Sequence, residues 1–202
     1  MKEIILNRRS IRKYSDYKIS NTELYEMLDE ALRAPSSGNL QPLRFFVIES
    51  KAAREKLRPI LRMNVSQLET ASQLILITGD KHKYQMAETI FSRAVAEGIM
   101  PDEVKHRQLD RFKNIHHDPT SQKYISSLFL DAGLFASHFM LVARMHGYDT
   151  CPIGGFNTEL ANETLGIDSN YLPILLISIG KKDEEGYQSI RLKASEITYH
   201  ID

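Results

Sequence analysis

The chain has 202 residues, 42% of them hydrophobic and 26% charged, an ordinary composition for a globular protein that buries one core without metal or disulfide support. Lysine plus arginine equals aspartate plus glutamate at 26 each, so no overall field draws the chain to nucleic acid or membrane, and ionic recognition must rest on local clusters. The single cysteine, Cys151, excludes an intrachain disulfide and favours a reducing compartment.

The opening MKEIILNRRS offers three consecutive apolar residues before charge returns, too few for a signal-peptide core. The first clear element begins near Ser20. Ser20 and Glu23 have capping-box spacing, and Leu24, Met27, Leu28, Ala31 and Leu32 then share one helical face. Pro35 stops that helix. The run RFFVI from Arg44 to Ile48 predicts a buried strand, Ala52 to Leu61 a helix, and LILIT from Leu74 to Thr78 a second strand. Residues 83–122 are charged and weakly periodic, and read as helices joined by loops.

A long helix is predicted from Lys123 to His146, with Gly147 at its end. Its apolar residues go nearly all the way round, so most faces must be buried, and a partner subunit is a natural cover for the excess. The longest apolar stretch, Leu128 to Ala143, is broken by Asp131 and His138 and reads as too short and polar to span a bilayer. A cytoplasmic protein with no membrane or nucleic-acid partner is the expectation. CPIGGF then predicts a tight loop, Thr158 to Leu165 a short helix, and YLPILLISIG, Tyr171 to Gly180, the third strand. Beyond Gly186, alternating apolar residues predict an extended tail that docks on something. Helices and strands are interspersed without the regular strand-helix-strand alternation of a doubly wound sheet, so the fold class is α+β.

Three segments have the residue types of a binding site. Arg8, Arg9, Ser10 and Arg12 place three guanidinium groups and a hydroxyl within five residues, which suits a phosphate monoester, although a solvated basic patch has the same composition. Ala34 to Pro42, APSSGNLQP, packs short hydrogen-bonding side chains between two prolines; turn residues alone explain most of it, Gln41 less easily. Pro152-Ile153-Gly154-Gly155-Phe156 carries adjacent glycines that let backbone N–H groups approach a flat ligand, or that simply make a turn. Neither a Rossmann nor a P-loop fingerprint is present. His116 and His117 are adjacent and lack a supporting Cys or carboxylate set, so no metal is expected. Cys151 reads as a buried, inert thiol before it reads as a redox group.

In this order, R-x-S-x-R, A-P-S-S-x-N-x-Q-P, a long apolar helix, P-I-G-G-F, a strand ending at Gly180 and then Arg191 together resemble the nitroreductase family of flavoproteins. The resemblance implies a single domain over 1–202, with a central, mainly antiparallel sheet flanked by helices and an intertwined homodimer. FMN would lie at the dimer interface. Arg8 and Ser10, with Arg9 beside them, would hold its phosphate and ribityl end, and Arg12 would lie against the pyrimidine edge, where reduction develops negative charge. Pro35, Ser36, Ser37 and Asn39 match the loop laid over the cofactor by the second subunit. Asn64 matches an asparagine on the flavin edge, Gly154 and Gly155 the loop whose N–H approaches the reactive ring nitrogen, and Arg191 a carboxy-terminal phosphate ligand.

Three positions depart from the pattern: Gly154 stands where some members carry an acid, Ser189 where some carry a lysine that Lys193 would have to replace, and Leu43 where tryptophan is common. The implied chemistry is ping-pong: NADH or NADPH reduces the flavin and leaves, and a nitro compound, quinone or similar small acceptor takes its place. No catalytic side chain is implied, because the cofactor carries the reactive atom. A narrower flavin reductase (dehalogenase or enone reductase) and a non-catalytic flavin sensor are the alternatives. Residues 86–124 would cover the pocket and 187–202 would dock on the partner subunit. Tyr84, Phe91, Phe112 and Tyr124 suit stacking on aromatic acceptors, although core packing is the commoner use.

Overall fold

The computed structural model describes residues 2–61, 63–113 and 118–201. In chain order its helices and strands are α1 (Lys2–Asn7), α2 (Asn21–Ala31), β1 (Leu43–Ile48), α3 (Lys51–Leu57), α4 (Val65–Thr70), β2 (Gln73–Asp80), α5 (Ala87–Ala96), α6 (Asp102–Lys113), α7 (Gln122–Met145), β3 (Asp149–Ile153), α8 (Thr158–Leu165), β4 (Tyr171–Gly180) and α9 (Ala194–Ile197). The four strands form one sheet in the order β1-β2-β4-β3, every neighbouring pair antiparallel. The α+β class and the antiparallel sheet follow the sequence reading.

Alternation along the central strands builds two cores. Ile75, Ile77, Ile177 and Ile179 point to one face and pack with α2 and α7 through Leu24, Met27, Phe135 and Phe139. Leu74, Leu76 and Leu176 point to the other and meet Leu57, Ile60, Leu61, Leu68 and Ala161. Both faces are covered, which is why β2 and β4 read as continuous apolar runs. Gly79 lets α7 approach β2 closely: a Cβ there would sit 2.9 Å from the Leu128 Cβ. A third, smaller cluster of Leu40, Ala87 and Phe91, with Tyr84, Met100 and Phe112 against it, holds α5 and α6 over the loop before β1.

The capping box at Ser20 and Glu23 forms as the spacing predicts: the Ser20 hydroxyl accepts from the Glu23 N–H at 3.2 Å, and Glu23 accepts in return from the Ser20 N–H at 3.0 Å. Several segments depart from expectation. A short helix, α1, precedes the element at Ser20, in a stretch with too few apolar residues to show periodicity. Cys151, Pro152 and Ile153 are strand, not loop; only Gly154 onward turns. Pro152 disguises the strand, and it is tolerated because β3 is a sheet edge. The helix expected over Ala52–Leu61 divides into α3 and a 3-10 turn, Arg58–Ile60, around Pro59. Helix α7 runs 24 residues, Gln122–Met145, matching the predicted Lys123–His146 helix in length and shifted by one residue; on length and composition alone it would be long and apolar enough to cross a membrane. Its inner face, Leu128, Ala132, Phe135 and Phe139, packs fully into the core. His116 and His117 lie outside the described residues.

Candidate functional site

The amino-terminal arginines are carried along the free edge of β3. Ser10 pairs in parallel with Thr150, and the Ile11 N–H donates to the Thr150 carbonyl at 3.1 Å. Tyr14 anchors the segment from below: its buried hydroxyl donates to the Ile11 carbonyl at 2.7 Å and sits 2.8 Å from the Ser178 hydroxyl on β4. Burial pushes that phenol well above its ordinary value, so it stays a neutral donor. Arg12 is exposed, its N–H donates to Glu184 at 2.7 Å, and its guanidinium lies 5.6 Å from the Tyr187 ring. Arg9 turns back to the carbonyls of Leu6 and Arg8. The Arg8 Nη1 is buried and has no hydrogen-bond partner among the described residues. An unsatisfied buried guanidinium N–H is costly, and a phosphate oxygen is the acceptor it suits best.

The start of α4 and the glycine loop meet this segment. The Ser66 hydroxyl donates to the Arg12 carbonyl at 2.8 Å. Leu61 bridges Phe156, and the Asn157 N–H donates to the Ile60 carbonyl at 3.0 Å, so the stretch leading to Asn64 lies alongside the turn after β3. Gly154 and Gly155 are exposed, and a Cβ at either would meet nothing within 4 Å. Arg8 to Arg12, Asn64 and the two glycines therefore belong to one connected region with an open glycine floor.

Pro35, Ser36, Ser37 and Asn39 are elsewhere. They lead into β1, the opposite edge of the sheet from β3, three strand spacings or about 14 Å away. This loop is strained: Gly38, Asn39 and Gln41 all have positive φ, at 62°, 54° and 48°, and for the two non-glycine residues such backbone needs support from its surroundings. Part of the support comes from α7, where the buried Asp131 accepts from the Ser37 N–H at 3.0 Å. Burial raises the Asp131 carboxyl above the usual range, opposed by that hydrogen bond and by Lys83. Lys83 is itself buried, donates to the Ser127 hydroxyl at 2.6 Å and faces the Tyr124 ring at 4.6 Å; burial lowers its ammonium. A cavity of about 540 Å³ opens beside the loop, with Tyr84, Phe91, Phe112, Gln108 and Arg111 in its wall. Tyr124 packs inward and donates to the Lys81 carbonyl.

Arg191 joins neither region. It lies on a tail whose residues 187–201 are all exposed, and among the described residues its guanidinium reaches only the Ile190 carbonyl. Within one chain, then, the sequence-derived residues fall into an arginine-and-glycine half, a serine-and-asparagine half and a free arginine. Asp131, Lys83 and Tyr14 were not singled out as site residues. Asp131 alone left a signal, as a charge inside an apolar helix.

The chain matches the nitroreductase family over residues 5–181. It belongs to that family. It is 44% identical to "Putative NAD(P)H nitroreductase YdgI" of Bacillus subtilis (strain 168), over 96% of this chain and 94% of the relative. It is 29% identical to the CLA biosynthesis enone reductase of Lactiplantibacillus plantarum, over 97% of this chain and 92% of that protein. A crystal structure from Exiguobacterium sibiricum 255-15, solved in complex with FMN, superposes with a TM-score of 0.92 at 40% identity, covering 99% of this chain and 96% of the other. The nitroreductase fold thus accounts for the sheet and its helices, and a phosphorylated planar cofactor fits what the residues offer: a buried guanidinium N–H in want of an acceptor among the described residues, and two exposed glycines where an added Cβ would meet nothing within 4 Å.

Proposed function

We propose that this nitroreductase is an FMN-dependent NAD(P)H oxidoreductase that reduces nitro compounds, quinones or similar small acceptors by ping-pong hydride transfer, as a homodimer. The observation that carries the reading is the buried, unpartnered Arg8 Nη1 in the same region as the open Gly154–Gly155 floor. When bound, FMN supplies the two-electron hydride chemistry. The chain supplies position and electrostatics. Arg8, Arg9 and Ser10 hold the phosphate and ribityl end, and Arg12 offsets negative charge at the pyrimidine edge. Backbone N–H groups of Gly154 and Gly155 present donors to the ring, and Asn64 presents its amide to the ring's polar edge. Pro35, Ser36, Ser37 and Asn39 come from the second subunit and close the crevice, and that subunit's α5 and α6, within 86–124, exclude water. No side chain is assigned a proton transfer.

Two exposed apolar surfaces support the dimer. Leu130, Leu134 and Met145 leave a stripe of α7 uncovered, beside a groove of about 920 Å³ shared with Glu30 of α2 and Arg33 just after it. The tail carries Tyr187, Ile190, Leu192, Tyr199 and Ile201, all exposed. Apolar side chains on that scale want a partner; residues 187–202 dock on it, and Arg191 reaches a phosphate there, with Lys193 beside it. A cytoplasmic location suits an enzyme drawing on NADH or NADPH. The enone reductase relative favours a second reading on the same site, reduction of a conjugated carbonyl compound.

Purified protein should be yellow, with a flavin spectrum that bleaches anaerobically on adding NADH or NADPH and returns with a nitroaromatic or quinone. A colourless protein that cannot be loaded with FMN contradicts the reading; a yellow protein that never bleaches is a flavin sensor. Faster reoxidation by an enone than by quinones or nitroaromatics selects the second reading.

A further inference from the structure

Between the glycine loop and α4 runs a chain of hydrogen bonds that the binding residues do not explain. Gln67, on α4, is buried at 3% exposure, unusual for a glutamine. Its Nε2 donates to the Asn64 Oδ1 at 3.1 Å and to the Cys151 Sγ at 3.8 Å. The Cys151 thiol, also buried, donates in turn to the Pro152 carbonyl at 3.7 Å. Both protons of the Gln67 amide are thus committed, one to each neighbour.

The direction of this chain matters. With its own proton on Pro152, the sulfur offers Gln67 only lone pairs, so Gln67 turns its NH2 toward both Cys151 and Asn64. The Asn64 Oδ1 accepts, and turning that amide over would set two NH2 groups against each other. The Asn64 Nδ2 is consequently the outward atom, and it makes no hydrogen bond among the described residues. An amide that ends free-standing can present either oxygen or nitrogen; this one is held to present nitrogen.

We infer that Gln67, seated on the Cys151 thiol, is a positioning residue that holds the Asn64 amide with its N–H bonds toward the polar edge of the flavin and thereby raises the flavin's reduction potential. The inference rests on the assignment of Asn64 to that edge. Reduction makes the ring more electron-rich, so a fixed N–H donor stabilises the reduced form more than the oxidised one. An oxygen at the same place does the reverse. The arrangement also gives Cys151 a task that requires it to stay reduced and inert: an oxidised sulfur would no longer fit as acceptor.

The test is a double-mutant cycle on the FMN-loaded protein, read as two-electron midpoint potential and as FMN dissociation constant. Asn64→Ala removes the donor and should shift the reduction equilibrium roughly tenfold toward oxidised flavin, about 30 mV lower in potential. Gln67→Met, close in volume, should lower the potential by a similar amount while Asn64 is present and leave it unchanged in the Asn64→Ala background. Cys151→Ala, which leaves one Gln67 N–H without its acceptor, should give a smaller shift in the same direction and serves where Gln67→Met folds poorly. If Asn64→Ala changes neither potential nor FMN affinity, Asn64 is not on the flavin edge and both readings fall. If Asn64→Ala lowers the potential but Gln67→Met and Cys151→Ala lower only thermal stability, the positioning role alone is overturned.

Discussion

The two edges of the sheet hold the two halves of the proposed site, and they are built on opposite principles. At the β3 edge, the segment from Arg8 to Arg12 is pinned by backbone pairing to Thr150 and by the Tyr14 hydroxyl, while its charged ends and the glycine floor stand open. At the β1 edge, the loop from Pro35 to Gln41 is contorted, with positive φ at three residues, and is held by the buried Asp131. The first half is a regular backbone offering unsatisfied charge; the second is a strained backbone held from beneath. A sheet of four strands keeps them apart in one chain. In the proposed dimer the two halves would meet across subunits, with the uncovered stripe of α7 as the natural contact.

The sharpest way to break the comparison is to spoil that contact. Leu134→Asp on the exposed α7 stripe should leave the chain monomeric by sedimentation and without FMN at concentrations where the unaltered protein is fully yellow. A yellow monomer would mean that one edge suffices. Next in size, Arg191→Ala should weaken FMN binding roughly ten- to a hundred-fold, the worth of a charge-assisted hydrogen bond. Unchanged occupancy in dilute protein would take the tail out of the site.

The strained half is tested through its support. Asp131→Ala should cost about 1.5–3 kcal/mol in urea unfolding, since it removes a hydrogen bond to a buried carboxylate and the charge facing Lys83. Asp131→Asn retains an acceptor and should cost less than half as much. Equal losses would show that charge, not the acceptor, supports the loop. The smallest effect lies outside both halves. Glu23 accepts from the Tyr148 hydroxyl and from Ser20, and these hydrogen bonds hold its carboxyl at about 2, below the ordinary 4.5. A depressed acid stabilises the fold above its unfolded pKa and loses that contribution as pH falls through the folded value. Glu23→Gln should therefore destabilise at neutral pH, with the difference shrinking between about pH 4.5 and 2 in chemical denaturation. A pH-independent difference would mean that the carboxylate is not the group responsible.

Legibility in the sequence followed the same division. Elements with a strong period or a continuous apolar run, α2 with its capping box, β2, β4 and α7, were readable because local pattern and tertiary burial agree. Strand β3 was hidden by Pro152 and by its brevity, and α1 by the lack of any buried face. Arg8, Ser10 and Gly154 enter the proposed site through the family resemblance, not through local pattern. Their supports were not readable, because Gln67, Lys83 and Tyr14 matter only through contacts made across the fold. Asp131 came closest, since a carboxylate in an apolar helix needs a partner.

Mixing two defective chains tests the shared crevice most directly. Arg8→Glu disables one half and Ser37→Pro the other, by removing the N–H that Asp131 holds. If each crevice draws one half from each subunit, every mixed dimer regains one intact crevice beside one that carries both defects, and FMN binding and NAD(P)H-driven bleaching return on mixing. If both halves came from the same chain, each crevice in the mixed dimer would keep a defect, and the mixture would stay as colourless as its parents.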